Sequence, residues 1–194
     1  MLKREGKDNL AVQESAVLPA RVILTGYRAT GKSVVGAQLA RQIGYRFIDT
    51  DDELVSSMDC SLAEYIREHG WSSFRKLERE LLGRLSWMNQ VIVATGGGAV
   101  LHKPEWQELR KGSLVIWLTA DAHTISERLR DDPVSVRQRP SLTGNGTHEE
   151  VASVLAEREA SYREGSDMAI DTTDKTPEEI ANMIEQYIID REEA

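Results

Sequence analysis

A glycine-rich run early in the chain has the residue types and spacing that bind nucleotide phosphates. It matches G-x-x-x-x-G-K-[ST] in full and lies between a β-branched run and a helical pattern. Its glycines let backbone N–H groups turn towards phosphate oxygens, and the helix N-terminus favours negative charge. Lys32 can reach the β- and γ-phosphates, and Ser33 can ligate Mg²⁺. We predict ATP contacts from Gly26, Arg28, Ala29, Thr30, Gly31, Lys32, Ser33 and Val34.

Carboxylates follow the second predicted strand, in Asp49-Thr50-Asp51-Asp52. The third predicted strand runs into Thr95 and three glycines without an acid, so a metal-binding carboxylate has to come from Asp49 or Asp51. One of the two would orient a metal-bound water, and the other would accept the proton of an attacking hydroxyl. The pattern does not say which is which, and these acids can also simply cap the next helix.

The triple glycine Gly96, Gly97 and Gly98 follows a buried strand and permits close backbone approach to a ligand. Its N–H groups can hold a substrate or γ-phosphate oxygen, and the alternative is an ordinary tight turn. Three histidines, His102, His123 and His148, have neither metal-ligand spacing nor a neighbouring nucleophile in the sequence. We therefore predict no site role for them.

Three arginines stand where loops or helix ends can converge on an anionic substrate: Arg75, Arg139 and Arg158. Arg75 and Arg158 lie among acidic residues at helical spacing, so surface ion pairs are the competing explanation. Arg139 lies in a long loop, where closure over ATP would bring it beside developing phosphate charge, and Arg137 can share that role.

The elements that must position these residues alternate between short apolar runs and longer helical patterns, which indicates an α/β fold with a parallel sheet. Helical patterns between the second and third strands, at Glu53–Ser57, Leu62–His69 and Ser72–Trp87, predict an inserted lobe over about residues 51–89. Asp131–Thr147 is rich in turn residues and predicts a flexible lid. The five predicted strands are Arg21–Thr25, Arg46–Asp49, Val91–Thr95, Leu114–Thr119 and Met168–Asp171.

Length and composition narrow the class of protein. A chain of 194 residues suits one domain, which we place at residues 21–194 after a disordered tail at 1–20. The formal charge of −8 argues against nucleic-acid binding. No apolar run is long enough to span a membrane, and Cys60 is the single cysteine, which fits a reducing cytoplasm. We expect a monomer.

Taken in order along the chain, these motifs resemble shikimate kinase from about Arg21 to Asp190. The P-loop is followed by Phe47-Ile48-Asp49-Thr50-Asp51, then Gly70-x-x-x-Phe74-Arg75-x-x-Glu78, then Thr95-Gly96-Gly97-Gly98. Arg139-Pro140 and Arg158-x-x-x-Tyr162 complete the set. The later motifs are weak individually, whereas their ordered combination is specific. The resemblance implies a doubly wound, five-stranded parallel sheet of the nucleoside monophosphate kinase type, with a helical substrate lobe and a lid.

The resemblance also implies a reaction, in which Mg-ATP phosphorylates a shikimate hydroxyl on the route to chorismate and the aromatic amino acids. It places Asp49 with Ser33 in the magnesium shell, and makes Asp51 the base. Lys32 and Arg139 would stabilise the transferring phosphoryl group. Shikimate itself would contact Asp51, Arg75, Gly96, Gly97, Gly98 and Arg158, with Glu78 orienting Arg75 and Arg130 near adenine.

The sequence departs from the family pattern at Tyr27 and Arg28 in the P-loop, at Trp71, and at Ser141. These departures bear on affinity and substrate range more than on the reaction. Two alternatives stay open: another small-metabolite or nucleotide kinase of this fold, such as a gluconate kinase, and a nucleotide-binding regulator without turnover.

Overall fold

The computed structural model describes residues 18–58, 60–132 and 150–192. Its centre is a five-stranded parallel sheet in the order β2-β3-β1-β4-β5. All five strands predicted from the sequence are present, and only the end of β3 and the start of β4 differ, by one residue each. The strands are β1 Arg21–Thr25, β2 Arg46–Asp49, β3 Val91–Ala94, β4 Ser113–Thr119 and β5 Met168–Asp171.

Helices cover both faces of the sheet. Alternate residues of the strands point to opposite faces, so Ile23, Val93 and Val115 enter one core and Val22, Ile92 and Leu114 enter the other. The prediction of a doubly wound, five-stranded parallel sheet is therefore confirmed. The described helices are α1 Lys32–Ile43, α2 Thr50–Ser56, α3 Leu62–Leu85, α4 Lys103–Arg110, α5 Ala122–Asp131, α6 Val151–Glu164 and α7 Pro177–Glu192.

The region between β2 and β3 consists of α2 and α3. Ser61 and Glu64 form the capping box that opens α3, as the sequence pattern predicts. Gly70 breaks α3 with a φ of 78° and a ψ of 164°. Glycine adopts such a left-handed φ without steric cost, which explains why the pattern indicates two helices on either side of this residue.

The first described residues, 18–20, contact the sheet and its helices. The Tyr45 hydroxyl donates to the Pro19 carbonyl at 2.9 Å, and Gln90 N donates to Ala20 O at 2.7 Å. Leu18 packs against the core beside α1 and α7. These contacts tie the segment directly before β1 to the rest of the domain, and the predicted division at residue 20 stays a prediction. The rest of the predicted tail, and the predicted lid from residue 133 onwards, lie outside the described residues.

None of the helices that the structure describes combines the length and the apolar character needed to cross a membrane.

Candidate active site

The P-loop runs from the end of β1 to the start of α1, at the carboxyl edge of the sheet, where α/β proteins bind ligands. A β-carbon on Gly26 would stand 2.2 Å from the Leu118 carbonyl oxygen, so only glycine fits where the loop leaves the sheet. The Lys32 ammonium and the Thr30 hydroxyl both donate to the Tyr27 carbonyl, at 2.6 and 2.8 Å. The side chains of the loop thus fold inward and hold its curvature.

Ser33 and Asp49 meet at the mouth of the P-loop. The Ser33 hydroxyl donates to Asp49 Oδ2 at 2.5 Å, and the other carboxylate oxygen, Oδ1, accepts from Asp51 N at 2.9 Å. Asp49 is therefore both the N-cap of α2 and the partner of the P-loop serine. The sequence leaves open whether this acid caps a helix or binds a metal. The geometry allows both, because one carboxylate oxygen caps α2 and the other faces Ser33.

These groups line an open space of about 780 Å³, which we call the phosphate cleft. Burial, and to a smaller extent the neighbouring Asp49 charge, raises the pKa of Asp52 above its usual range. The cleft thus brings one lysine into the same space as three carboxylates. Its lining comprises Arg28, Ala29, Lys32, Ser33, Asp49, Asp51, Asp52, Val55, Leu62, Thr95, Gly96 and Gly97.

A second, smaller space of about 380 Å³ adjoins the first, and we call it the acceptor cleft. Arg28 and Gly97 line both clefts, so the two spaces meet at these residues. The acceptor cleft has an aromatic wall and cationic groups, and none of its described lining residues is a carboxylate. This lining suits an anionic molecule with an apolar face. Its lining comprises Tyr27, Arg28, Ile66, Trp71, Phe74, Arg75, Gly97, Gly98 and Arg158.

Arg75 is held on several sides. Its NH1 donates to Glu78 one turn later in α3, and its guanidinium lies 5.1 Å from the centre of the Trp71 ring. A β-carbon on Gly98 would stand 2.5 Å from Arg75 NH1, so the guanidinium keeps its present position only because residue 98 has no side chain. Glu78 is buried, and its Oε2 also contacts His102 Nε2 at 3.1 Å.

Arg158 reaches the same cleft from α6. Its NH1 donates to the Gly97 carbonyl at 3.0 Å, and the Tyr162 hydroxyl donates to the same oxygen at 2.6 Å. Arg158 is 7% exposed, and its buried Nε has no hydrogen-bond partner among the described residues. A buried cationic donor without a partner carries a desolvation cost, which a bound anion would relieve.

Comparisons with known proteins agree with this geometry. Residues 28–189 match the family model described as shikimate kinase. A shikimate kinase of Oleidesulfovibrio alaskensis is 42% identical over 78% of this chain and 87% of its own. Shikimate kinase 2 of Yersinia enterocolitica is 40% identical over 87% and 95% of the two chains. The solved shikimate kinase of Acinetobacter baumannii, in complex with shikimate, superposes with a TM-score of 0.82 at 27% identity, over 91% of this chain and 96% of the other.

The chain belongs to the shikimate kinase family. Shikimate kinases are ATP-dependent transferases, so the predicted enzyme class and the predicted use of ATP are confirmed. The suspected family resemblance is confirmed as well, by the family model and by relatives at about 40% identity.

Within this shikimate kinase fold, the structure brings most of the predicted site residues together. Lys32, Ser33, Asp49 and Asp51 share the phosphate cleft, and Arg75 and Arg158 share the acceptor cleft. The Gly96 N–H donates to the Thr50 hydroxyl at 2.8 Å and is thereby engaged within the protein. Gly96 also lines the phosphate cleft, and its predicted contact with substrate stays a prediction.

Arg28, predicted as an ATP contact, lies between the two clefts. Its NH2 is 3.7 Å from Glu150 Oε1, and its buried NH1 has no hydrogen-bond partner among the described residues. Tyr27 beside it is buried, and burial is the main cause that raises the pKa of this phenol, with Glu150 adding to the rise. The P-loop departures seen in the sequence therefore face the acceptor side as well as the phosphate side.

The Arg130 Nε donates to Ser126 O on its own helix at 3.4 Å, and the predicted contact of Arg130 with adenine stays a prediction. Arg128, also on α5, contacts the P-loop. It donates to the Thr172 carbonyl at 2.7 Å and to Ala29 O at 3.4 Å. The sequence reasoning missed Arg128, although its position one turn before the predicted lid could have drawn attention to it. Arg139 lies outside the described residues.

Three more residues contribute to the site although the sequence predicts no role there for any of them. Trp71 was read only as a departure, yet it forms the aromatic platform of Arg75 and meets Phe74 edge-on at 5.9 Å between ring centres. Tyr162 stands in the motif Arg158-x-x-x-Tyr162 without a predicted role, and in the structure it shares the Gly97 carbonyl with Arg158. His102 was given no role, and no spacing in the sequence connects it with Glu78.

Proposed function

We propose that this chain transfers the γ-phosphoryl group of ATP to a hydroxyl of shikimate, forming shikimate 3-phosphate and ADP. The observation that carries the proposal is the junction of the phosphate cleft and the acceptor cleft at Arg28 and Gly97. Shikimate is a cyclic polyol with one carboxylate, and it suits a cationic, partly aromatic space that opens towards bound phosphates. Membership of the shikimate kinase family supports the same substrate.

On the phosphate side, the P-loop backbone and Lys32 bind the β- and γ-phosphates, and Lys32 stabilises charge that develops during transfer. Arg139 would assist it, a role that rests on the Arg139-Pro140 motif alone, because this residue lies outside the described part of the chain. Arg130 remains a predicted neighbour of adenine. The contacts of Arg128 with Ala29 and Thr172 support a role in holding the P-loop against the loop after β5.

Ser33 and Asp49 would hold Mg²⁺. Their oxygens lie 2.5 Å apart at the mouth of the P-loop, and hydroxyl and carboxylate oxygens are ligands that suit this ion. When bound, Mg²⁺ would neutralise phosphate charge. Asp49 also keeps the start of α2 in place through Asp51 N, so the same side chain positions the next carboxylate.

On the acceptor side, Arg75 and Arg158 bind the substrate carboxylate, and Gly97 and Gly98 allow the ring to approach the backbone. Contacts with Glu78 and Trp71 set the orientation of the Arg75 guanidinium in the acceptor cleft. Arg158 offers its buried Nε–H, which has no hydrogen-bond partner among the described residues. Pre-oriented cations reduce the entropy that ligand binding would otherwise cost.

Asp51 is the proposed base. It lines the phosphate cleft, and the N-cap contact with Asp49 places its backbone at the start of α2. It would accept a hydrogen bond, and finally the proton, from the attacking hydroxyl, while positioning and charge stabilisation supply most of the rate enhancement.

We also propose the setting in which this activity operates. The protein works as a monomer in the cytoplasm, as one domain at residues 21–194, without nucleic-acid or membrane partners. Support comes from the single sheet that the described helices cover and from the formal charge of −8.

A coupled assay of ADP release tests the proposal. Purified protein with Mg-ATP receives shikimate, gluconate, AMP or no acceptor. We expect ADP release only with shikimate, and a drop of about 10²- to 10⁴-fold in kcat for Asp51→Asn. Asp52→Asn is the matched control, because this adjacent carboxylate lines the same cleft but has no proposed role.

The outcomes separate the parts of the proposal. Release with gluconate or AMP would redirect the substrate assignment, and background release with every acceptor despite ATP binding would favour a regulator. Wild-type turnover by Asp51→Asn would remove the base assignment while leaving the reaction in place.

A further inference from the structure

We propose that His102 is a positioning residue for the acceptor cleft, acting through Glu78 on Arg75. This inference rests on the proposed binding of the shikimate carboxylate by Arg75. It concerns a side chain that does not line either cleft and that no motif of the sequence singles out.

Both partners of Glu78 meet the same carboxylate oxygen. Arg75 NH1 donates to Glu78 Oε2, and His102 Nε2 lies 3.1 Å from that atom. An ionised carboxylate only accepts hydrogen bonds, so Nε2 carries the hydrogen in this contact. The side chains of Glu78 and His102 are only 6% and 8% exposed, so little water competes with either contact.

The backbone of His102 is anchored on both sides. Its N–H donates to the Ala99 carbonyl at 3.1 Å, and its carbonyl accepts from Trp106 N at 2.8 Å as α4 begins. Trp106 is buried, and its indole N–H donates to Gly165 O at 3.0 Å. The imidazole therefore reaches Glu78 from a fixed point, on the segment that continues from Gly98.

The consequence for Arg75 follows from geometry. With a single donor, the buried Glu78 carboxylate could rotate about its side chain and take the Arg75 guanidinium with it. A second donor on the same oxygen restricts that rotation, and the Trp71 ring and Gly98 confine the guanidinium from other sides. Fixed orientation of a binding group by an outer hydrogen bond is a general device of protein sites.

The first test compares His102→Leu, which removes the donor, with His102→Gln, whose amide N–H₂ can replace it. For His102→Leu we expect the shikimate KM to rise about 10-fold, the effect of losing one hydrogen bond to a charged group. We expect kcat and the KM for ATP to change less than about twofold, since Lys32 and Asp51 are untouched. His102→Gln should recover most of the lost affinity.

The matched control is His123→Leu, because the His123 side chain on α5 is 78% exposed and its ion pair within the described residues is with the surface residue Glu127. This variant should keep wild-type values of every parameter. Calorimetric titration of shikimate without ATP measures the same effect as a change in Kd, independently of turnover.

A double-mutant cycle separates positioning from general stabilisation of the fold. If His102 acts through Arg75, then adding His102→Leu to Arg75→Ala should leave the shikimate Kd of the single variant unchanged within about twofold. An additive loss would overturn the proposal, as would an unchanged KM in His102→Leu. If His102→Leu fails to fold, His102→Gln decides, because a shikimate KM raised tenfold in this donor-bearing variant would contradict the proposed role.

Failure of this inference is distinguishable from failure of the proposed function. Wild-type protein without shikimate-dependent ADP release and without shikimate binding would remove the proposed function itself. Normal wild-type turnover together with a His102→Leu variant of unchanged KM would remove only the positioning role.

Discussion

The phosphate cleft and the acceptor cleft are built from the sequence in different ways. The principal polar groups of the phosphate cleft come from two short runs, residues 26–33 and 49–52, each at the carboxyl end of a strand. The acceptor cleft takes Arg75 from α3, Arg158 from α6 and its glycines from the β3–α4 connection. One cleft is therefore nearly local in sequence, while the other exists only when distant elements pack together.

The two clefts are also held in shape by different interactions. A local loop can hold phosphates because its geometry is set by its own hydrogen bonds, such as Thr30 and Lys32 to Tyr27 O. The acceptor cleft instead depends on buried charge contacts between elements, such as Arg158 with Gly97 O. Changes in the first cleft should reduce the rate of transfer, whereas changes in the second should weaken shikimate binding.

The largest effect is expected from Lys32→Ala. Loss of the ammonium removes charge stabilisation in the transition state, and kcat should fall by about 10²- to 10³-fold. Coupled ADP release measures kcat, and circular dichroism checks the fold, because Lys32 also holds the Tyr27 carbonyl. Lys111→Ala, at an exposed lysine on the opposite edge of the sheet, serves as control. Retention of wild-type kcat would break the assignment of this cleft to catalysis.

Next in size is Arg158→Ala, which removes a buried cation from the acceptor cleft. The KM for shikimate should rise about 30-fold or more, as for truncation of one partner of a buried charged contact, with little change in the KM for ATP. Arg163→Ala on the same helix is the control, since this side chain is 69% exposed. An equal rise in both KM values would indicate damage to the whole site and would erase the proposed distinction between the clefts.

A smaller effect is expected from Gly98→Ala. The added β-carbon would stand 2.5 Å from Arg75 NH1, so the guanidinium must shift away from its present position. Misplacement of a binding group on this scale should raise the shikimate KM by about 10-fold while sparing ATP binding. Gly83→Ala is the matched control, because nothing lies within 4 Å of its added carbon. Steady-state kinetics with varied shikimate concentration test this prediction. An unchanged shikimate KM would mean that the site accommodates the added β-carbon without displacing Arg75 from its binding position.

The smallest effect belongs to a residue outside both clefts. Thr176 caps α7, where its hydroxyl accepts from Glu179 N at 3.2 Å and donates to Glu179 Oε2 at 2.8 Å. Thr176→Ala should lower the free energy of unfolding by about 1 kcal/mol and leave kcat and both KM values unchanged. Denaturant unfolding and kinetics on the same sample check this baseline. A change in either KM would show that substrate binding in the clefts depends on the stability of α7.

The sequence by itself determined the sheet and the P-loop, because both follow from patterns within a few neighbouring residues. Apolar runs predicted all five strands, with β2 exact in its limits and β3 shorter by one residue at Thr95. The capping box at Ser61 and Glu64 formed as its spacing indicates, since a helix N-terminus is a local hydrogen-bonding problem. Lys32, Ser33 and Asp49 could be named for the same reason.

Tertiary structure decided what the side chains of these patterns face. Spacing could not show that Arg28 lies beside Glu150, that Arg128 contacts Ala29 in the P-loop, or that His102 meets Glu78. Each contact joins residues between 24 and 122 positions apart in the chain. Helical and strand periods place a residue on a face of its own element, but the packing of elements sets which distant group that face meets. The acceptor cleft depends most on this packing, because its side chains come from elements that are far apart in the sequence.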